Sequence, residues 1–310
     1  KMLSRLRNPW VFISLLCITA TSVFFSFFWS SAVHFLGAQK PSFCACHKCL
    51  TGGDLWFRQL VSSSPIPFLS RQSPTSEDAF NWWKHMQSER CNFTFYNTTV
   101  DEVLKMFSSV PVVQSSPDRC RTCAVVGNSG NLKGSHYGPL IDFHDIVIRM
   151  NRAPIKGYEK DVGTKTTYHA MYPESAISLD NSTRLVFFPF KINDFLWLLK
   201  RDKNPGKSQI ANKDLVMILN PAFMKYVHKR WLGNKGRYPS TGFLTVALSM
   251  YICDEVSVFG FGADRDGNWN HYFEILKNKR LRTGPHAGTH EYEFIQQLHK
   301  MQKIRFFKGW

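Results

Sequence analysis

The chain has 310 residues, 39 Lys and Arg against 23 Asp and Glu, and so a formal net charge of +16. A hydrophobic fraction of 44% supports a sizeable core, and 15% aromatic residues exclude a collagen-like, coiled-coil or low-complexity chain. The basic excess fits nucleic acid, an anionic membrane, an anionic substrate or nothing specific, and composition does not choose among them.

In chain order, Lys1, Arg5 and Arg7 precede an uncharged, mostly apolar run over 9–29 that carries Trp10 and Trp29 at its ends. About 20 apolar residues span a bilayer, Trp favours the headgroup boundaries, and cations on one side keep that side cytosolic. The run therefore predicts a cytosolic tail over 1–8, a signal anchor over 9–29 and a lumenal remainder. A cleaved signal peptide is the competing reading, but the apolar run is long and no small-x-small site follows it cleanly. The chain begins at Lys1 rather than Met, so native residues are expected before it.

A lumenal setting governs the eight cysteines. Cys17 lies in the anchor, and disulfides are the default for Cys44, Cys46, Cys49, Cys91, Cys120, Cys123 and Cys253. The CxxC spacings Cys46 to Cys49 and Cys120 to Cys123 imitate halves of a zinc site, a reading the oxidising compartment disfavours. An odd count leaves one thiol over, with Cys91 the isolated candidate. Sequons at Asn92, Asn97 and Asn181 fit passage through the endoplasmic reticulum, and with the anchor they argue against a nucleic-acid partner.

Residues 30–76, rich in Ser, Pro and Gly and holding the cysteine cluster, read as a short stem, and 77–310 as the lumenal domain. Helical spacing appears over Glu77 to Gln87 and Val100 to Phe107. From Ala124 onward, strand-length apolar runs occur at Ala124 to Val126, Ile146 to Ile148, Leu185 to Phe188, Leu215 to Leu219, Val256 to Phe259 and Ile304 to Phe307. Helical patterns at Phe223 to Trp231, Phe243 to Tyr251 and Tyr292 to Met301 alternate with them. Such alternation predicts an α/β fold with a mostly parallel sheet flanked by helices.

Ligands in such sheets sit beyond the carboxyl ends of the strands. The first strand exits into Gly127-Asn128-Ser129-Gly130-Asn131, whose small residues admit a ligand and whose spacing matches neither a dinucleotide fingerprint nor a P-loop. The second exits into Arg149-Met150-Asn151. Tyr238-Pro239-Ser240-Thr241-Gly242 opens a helical pattern with Ser240 or Thr241 as N-cap, a position that favours an anion. Asp264 and Asp266 form an Asp-x-Asp that can hold a divalent cation against a nucleotide diphosphate, although the surrounding sequence reads as a turn.

These segments resemble four ordered motifs of the animal-type sialyltransferases. The large motif runs from Cys123 through Asn128 and Asn151 to Thr166, and the small motif from Tyr238 through Cys253 to Gly262. The third is His271-Tyr272-Phe273-Glu274, and the last is His286 with Glu291 five residues on. Gln87 in Asn81 to Gln87, the Cys44, Cys46 and Cys49 cluster, and Ile304 to Gly309 resemble the beta-galactoside alpha-2,3 branch that caps Galβ1,3GalNAc. The resemblance implies a GT-A-like fold, CMP-sialic acid as donor, no metal or other cofactor, galactose-terminated glycoprotein or glycolipid acceptors and a Golgi type II membrane location. It implies donor contacts from Asn128, Ser129, Asn151, Tyr238, Ser240, Thr241, Gly242, Gly262 and His271, with the glycine backbones approaching cytidine and ribose. It further implies His286 as catalytic base, His271 behind the departing phosphate, Gln87 on the acceptor galactose, and disulfides Cys44–Cys49, Cys46–Cys120 and Cys123–Cys253.

The chemistry supports two histidines independently. A tertiary sialyl carbon leaves through an oxocarbenium-like state, so the phosphate needs a hydrogen-bonding or cationic partner, and the galactose hydroxyl needs a base on the opposite face. His290 rivals His286 for that role. The chain departs from the family over 197–214, which is short and lacks an expected tyrosine, at Asn270, where a second His is expected, and in the shortened loop from Glu274 to His286. The alternatives are a metal-dependent nucleotide-diphosphate-sugar transferase using Asp264 and Asp266, and a non-catalytic lumenal glycan-binding protein.

Overall fold

The structure, a computed structural model, describes residues 10, 13, 19, 21, 22, 44–47, 49–50, 54–107, 116–202, 210–275 and 283–310. The anchor expected over 9–29 lies almost wholly outside the described residues, and among those described no helix is long and apolar enough to cross a membrane. The catalytic features belong to a compact unit that spans Phe43–Trp310.

Its centre is a seven-stranded sheet. The strands are β1 (Thr122–Val126), β2 (Ile146–Met150), β3 (Tyr168–Met171), β4 (Arg184–Phe187), β5 (Val216–Ile218), β6 (Glu255–Phe259) and β7 (Arg305–Phe307), in the spatial order β5-β4-β3-β2-β1-β6-β7. Every pairing is parallel, with Val125 opposite Ile148 on one side and Val258 on the other. Parallel strands need crossovers that cover both faces, which is why these strands read as continuous apolar runs. Alternate residues serve two cores. Val125, Ile148 and Ala170 face the larger, while Ala124, Val126 and Val147 face a smaller one with Leu132 and Phe259.

The sheet contains one strand more than the apolar runs predict. Strand β3 carries Tyr168 and His169, whose polar tips break the run, yet His169 is buried because its ring finds a backbone acceptor. The helices are α1 (Leu55–Ser62), α2 (Glu77–Met86), α3 (Phe93–Met106), α4 (Gly138–Asp142), α5 (Glu159–Val162), α6 (Ile192–Asp202), α7 (Pro221–Tyr226), α8 (Thr241–Ile252) and α9 (Gly288–Lys300). Helix α7 continues as a π-turn over Val227–Trp231. Helix α8 is apolar on nearly all sides and lies within the larger core against the middle of the sheet.

The packed unit reaches back into the stretch read as stem. Asp54 caps α1, which buries Phe57 and Leu60, and the following chain pairs with the outer strand, Leu69 N donating to Ile218 O at 2.8 Å. This segment covers the sheet edge that β5 would otherwise expose. Disulfides join Cys44 to Cys49, Cys46 to Cys120 and Cys123 to Cys253, while Cys91 is a free thiol. Beside the last of these, the buried Arg121 guanidinium grips Asp254 through Nε and Nη2, each at 3.0 Å.

Candidate active site

The chain runs from β1 outward through β2, β3, β4 and β5, then returns to place β6 on the other side of β1. The loops leaving β1 and β6 therefore part from one another, the point where parallel sheets form a ligand crevice. A cavity of about 390 Å³ lies there. Asn128, Ser129, Asn151, Ser240, Thr241, Gly242, Gly262, His271 and His286 all line it, so the two large sequence motifs converge although they lie far apart in the chain.

The walls are rigid for identifiable reasons. Ser129 Oγ donates to Gly262 O at 2.7 Å and Asn131 Nδ2 to Phe261 O at 2.9 Å, tying the β1 loop to the β6 loop. Buried Asn128 donates from Nδ2 to Met150 O at 3.0 Å, leaving its Oδ1 without a partner among the described residues. Asn151 adopts a left-handed backbone, φ 58°, and its carbonyl receives His169 Nε2–H at 2.6 Å. Burial drives the His169 imidazole down to about 4, so it serves as a neutral donor.

Ser240 is the N-cap of α8. Its Oγ accepts from Phe243 N at 3.0 Å and donates to Glu291 Oε2 at 2.6 Å, while its own amide donates to Glu291 Oε1 at 2.8 Å. Glu291 on α9 thereby holds the two helix starts together. Burial pushes its carboxyl upward, although the Ser240 hydroxyl and amide oppose the shift. Thr241 and Gly242 occupy the first turn, where helical amides have no intrahelical acceptor and favour an anion.

The glycines serve the protein's own packing more directly than expected. A Cβ on Gly242 would stand 3.0 Å from the Phe261 ring, and one on Gly262, φ 94°, would stand 2.4 Å from the Tyr292 ring. Both rings line the cavity, as do Tyr172 and Trp269. Sequence reasoning missed these aromatics because nothing in their local spacing separates a cavity wall from a core position.

His286 precedes α9 and points between two chambers. Its Nδ1 lies 3.0 Å from Tyr238 O, and its ring meets the Tyr238 ring edge-on at 4.9 Å. With Nδ1–H donating to that carbonyl, Nε2 keeps its lone pair. A second cavity of about 280 Å³ adjoins the first and shares Tyr172, Thr241 and His286 with it. Gln87 and Tyr238 line this second chamber, with Gln87 Nε2 donating to Tyr238 Oη at 2.8 Å.

His271 lines the first cavity only, paired in a bridge with Ser129. Its Nδ1 is 2.8 Å from Glu274 Oε1, within ion-pair range but out of line for a hydrogen bond. Burial raises the Glu274 carboxyl, but the His271 amide and imidazole outweigh it and hold it low. His290 stands outside both chambers, 3.9 Å from Glu293. Asp264 and Asp266 also lie outside them, and Asp264 Oδ1 closes a turn by accepting from the amides of Asp266 at 3.0 Å and Asn268 at 2.8 Å. Asn270, standing where a second His is expected, packs its carboxamide over Gly130.

Of the sequons, Asn92 and Asn181 are exposed and Asn97 is half-buried in α3. The shortened stretches fall partly outside the described residues, at 203–209 and 276–282.

The profile of glycosyltransferase family 29 (sialyltransferase) matches residues 68–303. The chain belongs to this family. It is 42% identical over 283 residues to CMP-N-acetylneuraminate-beta-galactosamide-alpha-2,3-sialyltransferase 1 of Gallus gallus, covering 86% of this chain and 82% of the relative. The Homo sapiens enzyme of the same name is 40% identical over 86% of this chain and 83% of its own length. Among solved structures, a mammalian sialyltransferase in complex with Gal-beta-1-3GalNAc-ortho-nitrophenol superposes with TM-score 0.77 at 40% identity, covering 86% of this chain and all of that one. In this sialyltransferase all four family motifs contribute to the walls of the larger chamber, whereas Gln87 is the C-cap of helix α2, which precedes them all.

Proposed function

We propose that this protein transfers sialic acid from CMP-sialic acid to the 3-hydroxyl of terminal galactose, with Galβ1,3GalNAc on glycoproteins or glycolipids as acceptor, in one inverting displacement. The observation that carries the reading is His286, held by Tyr238 O at Nδ1, with Nε2 unbonded among the described residues, and shared by two adjoining chambers. A single displacement needs a donor chamber, an acceptor chamber and a base at their junction.

The larger chamber suits the nucleotide donor. The start of α8 favours its phosphate, and Asn128 and Asn151 offer neutral polar groups toward the nucleotide. In the step, the C2–O bond to phosphate breaks while galactose O3 bonds to C2. The O3 proton passes to His286 Nε2, and the bonding pair departs with CMP, whose phosphate is stabilised by His271, Tyr238 and the α8 amides. A phosphate is already a good leaving anion, so this set can act without a metal. Gln87 and Tyr238, bonded to each other, orient the sugar in the smaller chamber.

The proposal includes a Golgi type II location, with 1–8 cytosolic, 9–29 spanning the membrane, 30–76 as stem and 77–310 lumenal. Incubating the protein with CMP-sialic acid and Galβ1,3GalNAc, Galβ1,3GlcNAc or Galβ1,4GlcNAc, with and without EDTA, tests the chemistry. The expected product is α2,3-linked, formed preferentially on Galβ1,3GalNAc and unaffected by EDTA. Absence of transfer, or a product of another linkage, overturns the reading.

A further inference from the structure

The smaller chamber contains a buried carboxylate to which neither the motifs nor the reaction gives a role. Asp194, the third residue of α6, has only 1% of its surface exposed and lines that chamber with Gln87, Tyr238 and His286. Its Oδ2 accepts from the amides of Phe190 at 2.8 Å and Lys191 at 3.2 Å, the reach of an acid at a helix start. Among the described residues its Oδ1 has no hydrogen-bond partner, and Lys191 Nζ, 4.0 Å away, is bonded to Glu174 instead.

Capping accounts for one oxygen only. An acid at a helix start ordinarily leaves its second oxygen in water, whereas here it is buried, which carries the desolvation penalty of an unsatisfied acceptor. Burial raises the Asp194 carboxyl to about 6 despite the two amides. A ligand hydroxyl entering the chamber can donate to Oδ1 and remove that cost. Tyr172 and Phe190, whose rings meet edge-on at 5.5 Å, and Tyr238, 5.8 Å from Phe190, supply an aromatic side for the apolar face of a sugar.

We propose that Asp194 Oδ1 accepts a hydrogen bond from one hydroxyl of the acceptor galactose other than the reacting 3-hydroxyl, so that Asp194 determines acceptor specificity. The inference rests on assigning the smaller chamber to the acceptor. Of the chamber's charged side chains Glu174 and Lys191 pair with each other, leaving the Asp194 carboxylate, so the preferred ligand is a neutral, hydroxyl-donating sugar rather than a sulfated or phosphorylated one.

The test is equilibrium binding, by NMR titration in the presence of CMP, of methyl β-galactoside and its 2-, 4- and 6-deoxy analogues to the wild-type protein and to Asp194→Asn. Asn keeps an oxygen for the Phe190 and Lys191 amides and turns an NH₂ toward the sugar. Wild-type protein is expected to bind one deoxy analogue about tenfold or more weakly than the parent, the signature of a site built for a hydroxyl. Asp194→Asn is expected to bind the parent that weakly and no longer distinguish the two, with CMP affinity unchanged.

Equal binding of all four sugars by the wild type overturns the proposal, even if Asp194→Asn does not fold. Unchanged discrimination in a folded Asp194→Asn also overturns it. If galactosides bind normally to that variant while KM for CMP-sialic acid rises, the hydroxyl belongs to the donor and the proposal fails. Failure of the wild type to bind any galactoside removes the acceptor assignment itself.

Discussion

Replacing His286 with Asn separates anchoring from catalysis. His286 Nδ1 reaches Tyr238 O at 3.0 Å, and an Asn Nδ2 can donate to that carbonyl, whereas no Asn atom replaces Nε2. The edge contact with Tyr238 at 4.9 Å is lost too, at a cost of about 1 kcal/mol. A positioned general base contributes about 10²- to 10⁴-fold, or roughly 2.7–5.5 kcal/mol of barrier. Initial rates at saturating CMP-sialic acid and acceptor should therefore show kcat falling by that factor. CMP affinity by calorimetry should stay within about threefold, because the transition-state contact is lost and the ground-state ones remain. His290→Asn, at a half-buried site outside both chambers, should behave as wild type. A His286→Asn enzyme retaining kcat within tenfold of wild type would refute the role of Nε2, as would loss of CMP binding with kcat intact.

Stability should fall by about 3 kcal/mol between pH 6.5 and 4 through His169, whose imidazole is depressed from 6.5 to about 4 by burial. In that window the unfolded chain takes up a proton that the folded chain excludes, so this contribution is fully present above pH 6.5 and lost on acidification. Urea midpoints against pH should show the slope, and His169→Gln should remove it. Gly262→Ala, which must place a Cβ 2.4 Å from the Tyr292 ring at φ 94°, should move that ring and weaken CMP binding by about tenfold or more in calorimetry. Cys253→Ser opens a loop with a sequence separation of 130, for which chain entropy gives a loss of about 5 kcal/mol, measurable by urea unfolding under non-reducing conditions.

Much of the sheet is legible locally because its strands are buried on both faces and read as apolar runs, as Ala124 to Val126 and Val256 to Phe259 do. Strand β3 escapes because Tyr168 and His169 interrupt the run, and only the acceptor supplied by Asn151 O makes a buried histidine tolerable there. Helix α6 is missed although its apolar residues are plain, since the acid that starts it, Asp194, caps amides that precede it rather than following a Ser or Thr. The stretch read as stem is rich in turn residues, and the burial of Phe68 becomes visible only when the edge of β5 is there to receive it, as that of Phe57 does only when Lys303 lies over its ring.

The site divides in the same way. The order and spacing of the motifs determine the family and point to His271, His286, Asn128, Asn151 and the Ser240 cap, because the chemistry of an anionic leaving group and a hydroxyl nucleophile calls for those residue types. Tertiary structure alone decides which histidine faces both chambers, since His286 and His290 differ by four positions and are separated by the contact of one ring with Tyr238 O. It alone shows that Glu291 is a buried clasp on Ser240, that Gly262 makes room for Tyr292, and that Asp194, in the smaller chamber, has one oxygen unpaired among the described residues. The physical reason is that burial and orientation are properties of all the elements that meet at a point. A sequence records each of those elements separately.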